Sequence, residues 1–297
     1  MDDRSKSPVI EGPVVGTPEW LEARKSGIGA SELPSLFGIG FKSRLRLWAE
    51  KTGKLVPPDL DDNEAVHWGN TLESIVAEEY ERRTGRLLRK GTGLMVSGAH
   101  PWAMATPDYW WGDKPVQIKT TSAYRLKDWV DGPPLAVRIQ VHGEMLVTGA
   151  DMASVGVLVG GQRFMWADVE RDETLMGEIV SRASEFWAKV QADEWPDLEG
   201  MEDETEVIAQ VYPLATGETI AMPPMATAWA EALDELDVKA KLLKEHQELL
   251  KNEVRLALGA AEIGRLPDGS GWSLRLVKRK GYAVEPSESR QLRRLKA

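Results

Sequence analysis

The chain has 297 residues and a formal net charge of −10, from 37 Lys plus Arg against 47 Asp plus Glu. It has no cysteine, which excludes disulfides, thiolate-held zinc, iron–sulfur clusters and thiol nucleophiles and accords with a reducing compartment. No stretch approaches the ~20 apolar residues of a membrane span, the start MDDRSKSP is unlike a signal peptide, and so acidic a balance argues at first against a nucleic-acid partner.

In chain order, Thr17-Pro18 reads as N-cap and first residue of a helix reaching about Arg24. The Gly-rich turn Gly27–Ser31 leads into a short helix over Glu32–Phe37. Ser43 caps a helix over Arg44–Lys51, which Gly53 stops. Asn63–Thr84 reads as a long helix closed by Gly85. Short extended runs follow at Arg86–Arg89, Trp102–Trp111 and Val116–Thr121. Pro133-Pro134 opens a helix over Leu135–Thr148. The apolar, β-branched Met152–Val159 predicts a strand buried on both faces, and Arg163–Val169 predicts an alternating one. A helix follows over Glu173–Ala192, then an acidic, Pro-containing linker over 193–224, then a charged helix over Ala226–Ala261. Trp272–Val277 predicts a last strand before a basic tail. The order implies an α/β core over 1–192, the linker, and a C-terminal extension over 225–297 that is helical with a short β element.

The acidity is local. Residues 191–237 carry 13 acids and no Lys or Arg, while residues 238–297 carry 14 bases and 7 acids. The total therefore does not exclude a DNA-binding core. The charge runs have a plain reading as solvated surface and a sharper one as a linker and a tail that meets a polyanion or an acidic partner.

Asp108 ends one extended run, and Gln117 and Lys119 lie two apart on the next, so their side chains share a strand face. An acid, a second oxygen ligand and a lysine on adjacent strands are the minimum of a metal-dependent phosphodiesterase site. By itself the pattern is as compatible with an exposed polar hairpin. Gly27–Ser31 offers backbone N–H groups and a hydroxyl at a helix start, and Arg24 offers a bidentate clamp, which together suit an anion.

The pieces Arg24-x2-Gly27-Ile28-Gly29-Ala30-Ser31-Glu32, Trp68-Gly69-x2-Leu72-Glu73, Thr106-Pro107-Asp108, Gln117-Ile118-Lys119-Thr120 and Ile139-Gln140-Val141-His142-Gly143-Glu144 stand in one order over about residues 18–190. In this the chain resembles the YqaJ-type viral recombinases, the lambda-exonuclease-like branch of the PD-(D/E)xK nucleases. The resemblance implies a restriction-endonuclease-like core, a central mixed sheet flanked by helices. It implies a processive 5′→3′ exonuclease that resects one strand of double-stranded DNA from a 5′-phosphorylated end for phage-type recombination, using Mg²⁺ or, as substitute, Mn²⁺, one or two ions per site. Glu73, Asp108, Gln117 and the Ile118 carbonyl would be metal ligands, Lys119 would act on the water and Gln140 would support the site. Arg24, Gly29, Ala30 and Ser31 would hold the terminal phosphate. A homo-oligomer, by resemblance a ring-shaped trimer, a single-strand annealing partner, and action in the cytoplasm of a bacterial host are further implications.

One residue departs from the family, which has Glu or, less often, Asp where this chain has Gln117. The amide is nearly isosteric with Glu but brings no charge, so weaker metal binding and a weakened or lost reaction are expected. A deliberate Glu→Gln change, a natural variant with altered metal use and a natural pseudo-nuclease all fit. The rival reading is a DNA-end-binding recombination accessory that no longer cuts. His67, His100, His142 and His246 lack metal-ligand spacing, which points to structural or surface roles. An unrelated small-molecule α/β enzyme is disfavoured, since the chain has no phosphate-loop lysine motif, dinucleotide fingerprint or nucleophile elbow. Tyr109, Trp110 and Trp111, with Trp102, Tyr124 and Trp129, are candidates to stack on a frayed base. Arg44, Arg46, Lys51, Arg125, Lys127 and Arg138 are candidate backbone contacts.

Overall fold

A computed structural model describes residues 9–58 and 62–276. It divides into two compact units, 1–213 and 214–297. In the first, β1 (Val9–Val14), α1 (Pro18–Ala23) and β2 (Ile28–Gly29) precede a 3-10 segment over Ala30–Phe37. Next come α2 (Arg44–Lys51), α3 (Glu64–Thr84), β3 (Arg89–Lys90), β4 (Gly93–Ser97), β5 (Ala103–Ala105), β6 (Tyr109–Trp111) and β7 (Lys114–Thr121). Then follow α4 (Leu135–Thr148), β8 (Met152–Val159), β9 (Arg163–Glu170), α5 (Glu173–Gln191) and α6 (Glu202–Val211). The extended run expected over 102–111 is thus two strands, β5 and β6, which belong to different sheets.

The central sheet is mixed, with order β3-β6-β7-β8-β9. Its β7 and β8 run parallel, as the α4 crossover between them requires, and the other neighbours are antiparallel. A smaller sheet has the order β1-β4-β5-β2, with β2 and β5 parallel. The expected α/β core of helices flanking a mixed sheet is therefore the observed one. Ala153, Val155, Val157 and Val159 of β8 join one apolar cluster with Val141 and Met145 of α4. On the other face, Val116 and Ile118 of β7 pack with Val76, Ala77 and Tyr80 of α3. Both faces of the sheet are thus covered, which fits the unbroken apolar run of β8.

Local chemistry explains the helix ends. Thr17, Ser43, Asn63 and Asp172 cap α1, α2, α3 and α5 through their side-chain oxygens. Gly85 and Gly149 close α3 and α4 in the left-handed conformation.

The acidity of residues 193–213 suggests a linker, but they fold back on the first unit. The Arg44 guanidinium pairs with Glu199 at 2.7 Å, and Arg46 pairs with Asp203 at 3.2 Å and Glu206 at 2.7 Å. Trp195 packs on Trp48, with ring centroids 4.4 Å apart. Glu204 accepts backbone N–H groups of Glu199, Gly200 and Met201, making the turn that starts α6. The acids are therefore partners of α2, and Arg44 and Arg46 are engaged by them rather than left for DNA. In the second unit, α7 (Ala226–Leu258) is followed by a hairpin of β10 (Ile263–Arg265) and β11 (Gly271–Ser273). The basic tail beyond residue 276 lies outside the described residues.

Candidate active site

Asp108 sits between β5 and β6 and is held there by backbone. The Gly91 N–H donates to the Asp108 carbonyl at 2.8 Å, and a Cβ on Gly91 would fall 1.9 Å from the Pro107 carbonyl oxygen, so only glycine fits that approach. The Asp108 carboxylate reaches across to β7. Its Oδ2 accepts the Ile118 N–H at 2.8 Å and an amide N–H of Gln117. Burial pushes the Asp108 carboxyl up to about 6; Lys119 and the Ile118 N–H pull it down, and Glu73 raises it further.

Gln117, Ile118 and Lys119 are consecutive on β7, in register with Val155, Gly156 and Val157 of β8. Gln117 is buried, and while its amide nitrogen holds Asp108, its Oε1 has no hydrogen-bond partner. An ionised acid at this position could not make that bond, because a carboxylate offers only acceptors. Glu73, on α3, is half-buried and lies 3.6 Å from the Lys90 ammonium, and after burial its charge helps to raise the Tyr109 hydroxyl. Tyr109 is itself buried, as are Trp102 and Trp129, so these three are packing residues; Tyr124 is exposed. Trp111 faces the Arg86 guanidinium at 3.8 Å, and Trp110 lies 5.6 Å from that of Arg89.

Gln140 lies on α4, where its amide donates to Glu144 Oε1 at 3.1 Å. In the sequence Glu144 stands out only as part of a motif, yet it is buried and electrostatically in contact with Asp108 and Lys119. Burial, then the Asp108 charge, pushes its carboxyl up to about 8 against the pull of Lys119 and Gln140. Its signal in the sequence is that it is the one acid in the helix LAVRIQVHGEMLVT, one turn past Gln140. His142 is wholly buried, donating from Nδ1 to the Arg138 carbonyl at 2.7 Å and accepting the Asp172 N–H at Nε2, which is the structural role expected.

Beside α4 lies the phosphate candidate. A Cβ on Gly143 would meet Leu33 at 2.4 Å and Ala30 at 3.1 Å, so α4 touches the 3-10 segment directly. Gly29 pairs with Met104 of β5. Its N–H is taken by Glu32 Oε2 at 2.8 Å, which closes the turn from within. Glu32 is buried among three cations: Lys51 at 2.8 Å, Arg24 at 3.3 Å and Lys42 at 3.8 Å. Burial raises the Glu32 carboxyl, but Lys51, Arg24 and Lys42 outweigh it and hold it below the ordinary 4.5. Lys51 is therefore an internal counter-ion, not a surface cation. Arg24 also covers the Trp20 ring at 4.8 Å and stays partly open, and Ser31 is exposed beside buried Ala30.

Among the described residues, no three Asp, Glu, His or Cys side chains are gathered into a group that could hold a metal. The donor set still suits a hard cation once neutral oxygens are counted: half-buried Asp108 and the buried, unpartnered Gln117 Oε1 and Glu144 Oε2 lie on neighbouring elements.

Comparison with known proteins bears on the family and the fold. Residues 19–151 match the YqaJ-like viral recombinase domain. The uncharacterized protein YqaJ of Bacillus subtilis is 32% identical over 256 residues, covering 83% of this chain and 79% of that protein. The crystal structure of an alkaline exonuclease, LHK-Exo, from Laribacter hongkongensis superposes with a TM-score of 0.52 at 24% identity, over 60% of this chain and 94% of that one. The same exonuclease in complex with dAMP matches with a TM-score of 0.51. This structural likeness shows a shared fold. From sequence motif, fold and relative together, the chain belongs to the YqaJ family of viral-recombinase-like proteins.

Proposed function

We propose that the protein is a divalent-metal-dependent deoxyribonuclease that resects one strand of duplex DNA, 5′→3′ and processively, from a 5′-phosphorylated end. The observation that carries the reading is the half-buried Asp108 carboxylate, pinned by the Ile118 N–H on the strand that also presents Gln117 and Lys119. The exonuclease activity named for the Laribacter structure, and its complex with dAMP, favour DNA as the substrate class.

Asp108, Glu73, Gln117 Oε1 and the Ile118 carbonyl are the groups that would hold Mg²⁺ or Mn²⁺, one or two ions. Such an ion supplies an acidified water and neutralises charge growing on the scissile phosphate. Lys119 places a cation near Asp108 and Glu144, where it orients the attacking water and balances the phosphate charge. Gln140 fixes Glu144, and Arg24 with Ser31 takes the terminal phosphate, which sets the cutting register. Arg24 must then share its guanidinium between Glu32 and the phosphate.

The second reading, an end-binding recombination accessory without cleavage, is favoured by Gln117, which taken alone removes one charge from the ligand set. End-labelled DNA separates the two. On linear duplex the nuclease releases a 5′ label as mononucleotide before a 3′ label and leaves closed circles intact. Equal loss of both labels, or nicking of circles, contradicts a 5′→3′ exonuclease.

A further inference from the structure

Four glutamates are buried among the described residues: Glu32, Glu50, Glu144 and Glu204. Three have evident reasons to be charged where they are. Glu32 has Lys51 and Arg24, Glu50 has Lys42, and Glu204 accepts three backbone N–H groups. Glu144 is the exception. One of its oxygens accepts the Gln140 amide and the other, Oε2, is buried with no hydrogen-bond partner. An uncompensated buried carboxylate is costly, by ~1–3 kcal/mol for the missing bond and more for the charge, so the group stays charged only where something outside the chain compensates it and is otherwise held as the neutral acid.

Across the site, the mirror arrangement holds. Gln117 gives its amide nitrogen to Asp108 and keeps a buried, unpartnered Oε1. Each acid is thus capped by one glutamine, Asp108 by Gln117 and Glu144 by Gln140, and each pair contributes an unpartnered oxygen: Gln117 Oε1 in one, Glu144 Oε2 in the other. The strand carries an uncharged amide, and helix α4 carries an acid whose carboxyl feels the charges of Asp108 and Lys119.

Resting on the metal-dependent nuclease reading, we infer that Glu144 Oε2 is a ligand of the metal held by Asp108, supplying from helix α4 the carboxylate that Gln117 lacks on strand β7. With Asp108 and Glu144 the cation meets two carboxylates although residue 117 is uncharged. The interchange also explains how Gln117 persists in a site that is otherwise complete.

The test is direct Mn²⁺ binding to the full chain, read from the electron-spin-resonance signal of free Mn²⁺. Glu144→Gln is expected to weaken binding by ~10-fold or more, since even loss of a group that merely supports a ligand costs 10–100-fold. The exchanged variant, Gln117→Glu with Glu144→Gln, is expected to return affinity to within ~3-fold of the parent and to keep cleaving DNA. Its recovery also shows that the single variant had not simply unfolded. Unchanged affinity in Glu144→Gln overturns the inference, as does a loss that the exchange leaves unrepaired. Asp108→Asn separates this failure from that of the nuclease reading. If it weakens Mn²⁺ binding while Glu144→Gln does not, only the role of Glu144 falls. If parent and Asp108→Asn bind Mn²⁺ alike, the metal site itself is refuted.

Discussion

At Glu32 a single buried carboxylate closes the Gly29 turn and pairs with Arg24, Lys42 and Lys51. Those cations hold its carboxyl below the ordinary value once burial has been outweighed, so the folded state binds this proton less readily than the unfolded one. The stability it contributes is therefore present above about pH 4.5 and lost as pH falls through the lowered folded value. Urea unfolding between about pH 6 and pH 3 is expected to show this acid loss, and Glu32→Gln to flatten it while lowering stability at the upper end. The sequence suggests Arg24 as an anion clamp because a guanidinium beside a Gly-rich helix start is a familiar pattern. It does not show the internal partner, because the cluster around Glu32 is completed by Lys51, which arrives from the far end of α2. Arg24→Ala is expected to cut the preference for 5′-phosphorylated over 5′-hydroxyl ends by ~10-fold, measured as initial rates on the two substrates.

At the scale of elements, the active-site geometry depends on a close backbone approach. Gly91, between β3 and β4, lies against Pro107, and a side chain there would strike a carbonyl oxygen that cannot move without Asp108. Gly91→Ala is expected to cost ~1–3 kcal/mol in urea unfolding and to lower Mn²⁺ affinity with it, because the strain is relieved only by shifting the ligand. The long periodic helices α3, α4 and α5 and the apolar strand β8 were legible in sequence nearly to the residue, since caps and glycines mark their ends. The helix α6 was not. Its segment lacks an apolar stripe wide enough to announce a helix. It is held instead by buried Val207 and Glu204 and by ion pairs to Arg46, 157 and 160 positions away in the chain. The same blindness hid Glu144: position in a helix shows in sequence, but the strand facing it does not.

For the whole molecule, the −10 charge is organised rather than spread. Part of the acidic segment is engaged within the first unit by α2, and part of the core's acidity is the buried set that would meet a cation. In the second unit, α7 carries Trp229, Leu233, Leu236, Ala240, Leu243, Leu250 and Val254 at alternating spacings of three and four, broken at Gln247. Leu236, Leu243 and Leu250 are exposed, which is the pattern of a helix that pairs with another helix. Self-association through α7 is expected. Changing these three leucines to serine in the full chain should shift sedimentation toward the 33.0 kDa monomer and shorten DNA runs per binding event. An unchanged mass would assign any oligomer to another surface.

The central claim, metal-dependent cleavage at Asp108, is tested most directly by nucleotide release from 5′-phosphorylated linear duplex, comparing the unmodified chain with Asp108→Asn. Progressive release that requires Mg²⁺ or Mn²⁺ and falls by ~100-fold or more in Asp108→Asn is the expected result, a ligand interaction being worth several kcal/mol. DNA that is bound at its ends but yields no nucleotide at any concentration of either ion would contradict it.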